Sequence, residues 1–150
     1  MLYSATTAPI IYDPLNMSWT QYIDQLMGTD ESVTEDAAIV AYADNGESVW
    51  AAHSTFKQIT AAEVKRLVST DRSTLFTDGL MLGGQKCRVI LDNLYKEDAS
   101  VNLMTKDGNT IVVCKAKTVL VILKGRKSIH GRQLLPQTIK IAEYLISAGY

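Results

Sequence analysis

Five aromatic side chains, Trp19, Tyr22, Trp50, Tyr144 and Tyr150, are the residues of this chain best suited to act on another molecule. Trp19 and Tyr22 fall in the segment Ser18-Trp19-Thr20-Gln21-Tyr22-Ile23-Asp24-Gln25-Leu26-Met27-Gly28, and Tyr144 and Tyr150 lie within the last seven residues. Chain ends usually fray and carry small polar residues, so large rings at both ends imply that the two ends pack together. Such rings are rigid, apolar on their faces and polar at the tip, which suits recognition of a partner. The competing explanation is plain core, because an aromatic stripe at helical spacing commonly does no more than fill an interior.

Catalysis finds little support. His53 and His130 are the only histidines, and neither has a spaced partner set. Gly83-Gly84 follows a strand-like run but fits neither the P-loop nor the dinucleotide pattern. Cys87 and Cys114 have no nearby histidine in sequence and no second cysteine at metal spacing, so no metal site and no cofactor is expected. Two cysteines make no disulfide scaffold; buried, reduced thiols and a reducing compartment are the simple reading.

Charge is the second signal. The net charge is −1, yet residues 86–132 hold ten Lys+Arg and four Asp+Glu, leaving five basic and twelve acidic residues elsewhere. That asymmetry suggests an anionic partner for the basic part, unless a mixed surface is basic there by chance. Lys124-Gly125-Arg126-Lys127, with Arg132, Lys115 and Lys117, is a polybasic set of the kind that attracts anionic headgroups, although a solvated loop explains it nearly as well. No aromatic stacking ladder accompanies these cations, so nucleic acid is not expected.

These residues must be held by a single domain. The chain has 150 residues, 47% hydrophobic and 21% charged, which fits one globular core and excludes a disordered chain. Its longest apolar stretch, 118–123, is far short of a bilayer span of roughly 20 residues, so no transmembrane segment is expected. Ser18 and Gln21 form a capping box, Trp19, Tyr22, Ile23, Leu26 and Met27 then share one helical stripe, and Gly28 stops the helix. Residues 37–43 and 48–52 predict a hairpin across Asp44-Asn45-Gly46-Glu47, and Thr60-Ala61-Ala62-Glu63 opens a short helix ending near Val68. Strand-like runs follow at 79–83, 86–92, 100–105, 110–117 and 118–124, with a turn at Lys106-Asp107-Gly108-Asn109. Strands so close in sequence must pair antiparallel, because a parallel crossover needs a dozen or more residues. Pro136 predicts the start of the last helix, at or up to one turn before it. The fold class is therefore α+β: an antiparallel sheet with the terminal helices on one face and shorter helices on the other.

The combination of Met17-Ser18-Trp19 with Tyr22-Ile23-Asp24, Asp36-Ala37-Ala38-Ile39-Val40, Ser48-Val49-Trp50-Ala51-Ala52, the run Leu80 to Cys87 and the Tyr150 end resembles the profilin family. The resemblance covers about residues 17–150. It implies the fold just described and a non-enzymatic, monomeric cytoplasmic protein of the cytoskeleton that binds monomeric actin and proline-rich proteins such as formins. It places polyproline at Trp19, Tyr22, Trp50, Tyr144, Leu145 and Tyr150, a groove of aromatic faces with polar tips that suits a polyproline II ligand. It places actin at Phe76, Lys86, Arg88, Val89, Lys106, Thr110, Ile129, His130 and Gly131. It also implies phosphoinositide binding, for which Lys115, Lys117, Lys124, Arg126, Lys127 and Arg132 are the candidates.

Several positions depart from vertebrate profilins. Tyr144 stands where those usually carry histidine, and Leu91 and Met104 where they carry basic residues. Leu135-Pro136 replaces an Asn-Lys pair, and Lys140 replaces an acid. The rival expectation is a profilin-like scaffold or membrane-surface module without actin binding. Residues 1–16 lie outside the resemblance, lack a basic signal region and are expected to be an extended add-on, a cloning scar or an alternative start, outside the domain. Their removal is expected to leave stability nearly unchanged; alternatively Pro9 or Pro14 occupies the aromatic groove, and removal tightens polyproline binding.

Overall fold

A computed structural model describes residues 18–150 of the chain; the expectations for residues 1–16 lie outside the described residues. The first helix, α1 (Trp19–Met27), starts where the capping box requires. The Ser18 hydroxyl accepts from the Gln21 amide at 3.2 Å, and the Gln21 side chain accepts from the Ser18 amide at 2.6 Å. Trp19, Tyr22, Ile23 and Leu26 face inward, which spends the helical stripe on packing.

The sheet consists of β1 (Thr34–Ala41), β2 (Ser48–Ala52), β3 (Leu80–Leu82), β4 (Gln85–Asn93), β5 (Ser100–Thr105), β6 (Thr110–Lys115) and β7 (Val119–Gly125). The seven strands lie in the order β2-β1-β7-β6-β5-β4-β3, every pair antiparallel. The first hairpin and the later meander are joined by β7, which pairs with β1 from Ala41 opposite Val119 to Thr34 opposite Gly125. β1 therefore begins three residues earlier than its apolar run suggests. Asp36 makes that possible although it is buried: its carboxylate accepts from the amides of Ala37, Ser54 and Phe56 at 2.9 to 3.0 Å. A buried carboxylate with such donors avoids the cost of an unpaired charge.

Two cores follow from the period-2 alternation of the strands. On one face Ala37, Ile39, Val112, Cys114, Val121 and Leu123 pack against α1 and the last helix, α4 (Gly131–Ser147). On the other, Ala38, Val40, Leu103, Val113, Leu120 and Ile122 pack against the residues of α2 (Ala61–Val68), α3 (Leu75–Asp78) and the 3-10 turn Thr55–Gln58. The expected arrangement of terminal helices on one face and shorter helices on the other is thus the observed one.

α4 starts at Gly131, five residues before Pro136 and earlier than the proline suggested. The Gln133 side chain accepts from the His130 amide at 3.1 Å and caps the helix there. Pro136 supplies no N–H to the carbonyl of Arg132. Both residues are exposed, so water can take the lost hydrogen bond.

Around α3 the chain is tightly tied. Arg72 pairs with Asp92 of β4 at 2.7 and 2.9 Å and also donates to the carbonyls of Leu67 and Ser69. The hydrogen bonds and charge of that guanidinium hold the Asp92 carboxyl below the usual carboxylate range. Gly79 closes α3 with φ 69°, and a Cβ there would lie 2.5 Å from the Cys87 carbonyl oxygen. Gly79→Ala is expected to cost at least about 2 kcal/mol, because it adds a backbone clash to a left-handed conformation. Urea unfolding measures the loss; a midpoint equal to that of the unsubstituted chain would show that the turn relaxes freely.

Candidate functional sites

The aromatic residues of the two chain ends meet. Trp19 lies edge-on to Trp50 at a centroid distance of 4.8 Å and to Tyr150 at 5.1 Å, and tilted against Tyr22 at 5.9 Å. Tyr150 is also edge-on to Trp50 at 5.9 Å, and Tyr144 is tilted against Tyr22 at 6.1 Å. Three elements supply this cluster: α1 gives Trp19 and Tyr22, β2 gives Trp50, and α4 with its last turn gives Tyr144, Leu145 and Tyr150. All six candidate residues for polyproline are therefore brought together.

They are not equally accessible. Tyr22 and Leu145 are fully buried and Trp19 keeps 7% of its surface, whereas Trp50, Tyr144 and Tyr150 are half-buried. The ring surface that is not buried belongs chiefly to the last three. Concave space flanks Trp50 and Tyr150: a cavity of about 460 Å³ lies beside Trp50, Val49 and Thr20, and one of about 370 Å³ beside Trp50, Tyr150 and Thr118.

A second surface lies on the opposite side of the sheet's width. β2 and β4 are five strand spacings apart, roughly 24 Å along a flat sheet. On β4, Lys86 and Arg88 point to solvent and alternate with Cys87 and Val89, which enter the second core. Among the actin candidates Val89 is thus buried, because strand alternation sends it inward beneath Lys86 and Arg88. Thr110 is buried as well, under the start of α4, where a Cβ at Gly131 would lie 3.1 Å from Asn102 Nδ2 and 3.5 Å from Thr110 Cγ2. That contact seats Ile129, His130 and Gly131 beside β5 and β6. Phe76, on α3, is 63% exposed, the most open large apolar residue among those described. Lys86 Nζ donates to the Asp78 carbonyl at 2.5 Å and joins β4 to the end of α3. Lys106 is exposed in the β5–β6 turn.

Residue-by-residue reading missed part of this surface. A register shift between Val89 and Leu91 leaves both Ile90 and Leu91 exposed, at 46% and 48%. Arg88 Nη2 lies 3.7 Å from the sulfur of Met104 on β5. Strand pairing shows the apolar residues at 91 and 104 as part of one face with Arg88 and Asn102, and no sequence signal marks the bulge.

The six polybasic candidates do not form one site. Lys124 is 5% exposed, paired with Glu35 at 2.8 Å and hydrogen-bonded to Gln85 at 3.1 Å. Arg126 is held by the Glu31 carbonyl at 3.0 Å and by Glu35 at 3.4 Å. Lys115 ends β6 and Lys117 lies in the turn before β7, whereas Lys127 and Arg132 lie beyond the far end of β7, roughly 20 Å away at a strand rise of about 3.3 Å per residue. Burial and pairing remove Lys124, and the length of β7 divides the rest.

Groups suited to covalent chemistry are quiet. Burial pushes the Cys87 thiol up to about 11 and the Cys114 thiol up to about 12, so neither forms a thiolate at neutral pH. Among the described residues no group of three or more His, Cys, Asp or Glu is placed to hold a metal, and no helix is long and apolar enough to cross a membrane.

An antiparallel sheet clasped by its own terminal helices, with aromatic rings gathered on its surface, has the form of a binding domain. Comparison with known proteins gives the particular family. The Profilin family model matches residues 17–150. Bovine Profilin-1 is 43% identical over 141 residues, covering 88% of this chain and 98% of that protein, and human Profilin-1 is 41% identical over 140 residues with the same coverage. Among solved structures, mouse profilin IIa in complex with a double repeat from the FH1 domain of mDia1 superposes with a TM-score of 0.81 at 36% identity, covering 88% of this chain and 99% of that one. The chain belongs to the profilin family, and like its family it is not an enzyme.

Proposed function

We propose that this protein binds monomeric actin and proline-rich segments, through two separate faces, and so regulates actin polymerisation. Family membership supports both activities. The observation that carries the joint reading is the distance between the faces: the aromatic cluster lies on the β2 side of the sheet, and Phe76, Lys86 and Arg88 lie on or beside β4. A proline-rich chain on the first leaves the second free, so one molecule can deliver an actin monomer to an assembly factor that displays polyproline. The protein does this in the cytoplasm, at the actin cytoskeleton.

The aromatic groove takes polyproline at Trp50, Tyr144 and Tyr150, backed by Trp19, Tyr22 and Leu145. Tyrosine at 144 keeps the ring that a proline face stacks against. Actin meets Phe76, Lys86, Arg88, Lys106, Ile129, His130 and Gly131, with Val89 and Thr110 supporting that face from beneath. Anionic lipid headgroups find no six-residue site here; Lys127 with Arg132, or Lys115 with Lys117, are the remaining pairs.

The test is retention on poly-L-proline beads combined with titration of monomeric actin, followed by both ligands together. Retention, actin binding and a ternary complex are the expected outcome. Retention without actin affinity would assign the protein to the scaffold class. Mutual exclusion of the two ligands would refute the two-face arrangement.

A further inference from the structure

The ring of Tyr150 belongs to the last residue described, where side chains ordinarily have the most freedom. Here its main chain is fastened at both ends. The Tyr150 amide donates to the Leu145 carbonyl at 2.8 Å, and the Gly149 amide to the Ile146 carbonyl at 3.0 Å. With Gly149 at φ 98°, this is a Schellman ending to α4. The Tyr150 main-chain oxygen then accepts twice from one residue: from the Thr118 amide at 2.5 Å and from the Thr118 hydroxyl at 2.8 Å.

Thr118 is itself held. It sits in the β6–β7 turn, which the Ala116 amide closes onto the Val119 carbonyl at 2.8 Å. Tyr42, just after β1, holds its hydroxyl oxygen 2.6 Å from the Ala116 carbonyl and 2.9 Å from the Lys117 carbonyl, so its single proton is donated to that pair of acceptors. The Tyr42 amide donates to the Thr118 carbonyl at 3.0 Å. Hydrogen bonds thus run from β1 through the turn to Tyr150, whose ring completes the contacts with Trp19 and Trp50. Beside Thr118 and Tyr150 lies the 370 Å³ cavity, open space into which a released ring could swing.

We propose that Thr118 is a positioning residue for the aromatic groove: its two donors fix Tyr150 before a ligand arrives. The inference rests on the reading that this groove takes proline-rich segments. A ring ordered in the free protein costs nothing further to order on binding, so the clamp raises affinity without touching the ligand. The hydroxyl is the separable part, because the amide belongs to the fold whatever residue stands at 118.

Thr118→Val keeps the shape and the amide and removes only the hydroxyl donor. It is expected to weaken polyproline binding about three- to tenfold, the effect of losing one hydrogen bond. Thr118→Ser is expected to restore wild-type affinity. Monomeric actin affinity is expected to stay unchanged in both, since the actin face lies toward the other edge of the sheet. A general loss of folding would lower both affinities and would not be rescued selectively. Tyr42→Phe, which loosens the turn one step further from the ring, is expected to give a smaller polyproline loss and covers the case in which Thr118→Val fails to fold. Wild-type polyproline affinity in Thr118→Val, with Tyr150→Ala impaired, would overturn the positioning role alone. Failure of the unsubstituted protein to bind polyproline would instead refute the groove reading on which the role depends.

Discussion

Trp19→Ala is expected to abolish retention on poly-L-proline and to lower the stability of the domain in the same step. Trp19 is the ring that Tyr22, Trp50 and Tyr150 all contact, so its removal leaves the groove without a centre. Central aromatic hot spots cost roughly 2 kcal/mol or more on truncation, a loss of about thirtyfold in affinity. Trp19 is also 93% buried, and replacing a buried aromatic by alanine costs about 3–5 kcal/mol of stability. The two effects separate by comparison with Trp50→Ala and Tyr150→Ala, whose rings are half-buried. Those variants are expected to lose retention with smaller shifts in melting temperature. Retention of folded Trp19→Ala at the wild-type level would refute the site assignment.

Actin binding is expected to respond to Phe76 and to the lysines in different ways. Phe76 exposes 63% of its surface beside a well-tied turn, so it arrives at an interface already positioned. Burying such a ring is worth about 1.5–3 kcal/mol, so Phe76→Ala is expected to weaken actin binding about tenfold or more at any ionic strength. Lys106 is an exposed charge in a turn, and exposed charges are screened over about 10 Å at 0.1 M salt. Lys106→Ala is therefore expected mainly to slow association and to flatten its salt dependence. Lys86→Ala does the same and also removes the bond to the Asp78 carbonyl. Exposed Ile90 and Leu91 and the thioether of Met104 add apolar surface beside these cations, which favours the Phe76 arm of the comparison. Association and dissociation kinetics with monomeric actin at low and moderate salt distinguish the cases. Unchanged binding by Phe76→Ala, with loss on removing the lysines, would make the contact essentially electrostatic. No effect from any of the three would place the actin face elsewhere.

Elements whose signals are local were legible in the sequence. Ser18 with Gln21 and Thr60 with Glu63 specify their helix starts because a cap is satisfied within three residues. Asp44-Asn45-Gly46 and Lys106-Asp107-Gly108 mark their turns, because few residues reach the required backbone conformations. The meeting of α1 with the end of α4 was legible too, since rings left exposed on both would cost more than rings packed together. Pro136 misled because a proline's penalty depends on whether water can reach the carbonyl it leaves unpaired, and only the fold settles exposure.

What tertiary structure decided is everything that depends on pairing between distant strands. β7 lies between β1 and β6, so Lys124, which reads as a surface cation, is itself buried and paired with the partly exposed Glu35. The register shift near Val89 turns Leu91 outward, and the β6–β7 turn comes to hold Tyr150 across 32 positions of sequence. Strand register carries a period of two, and a shift of one residue exchanges inside for outside along a whole strand. The types of residue needed for both faces are therefore written in the chain, while their exposure and their supports are set by which strands become neighbours.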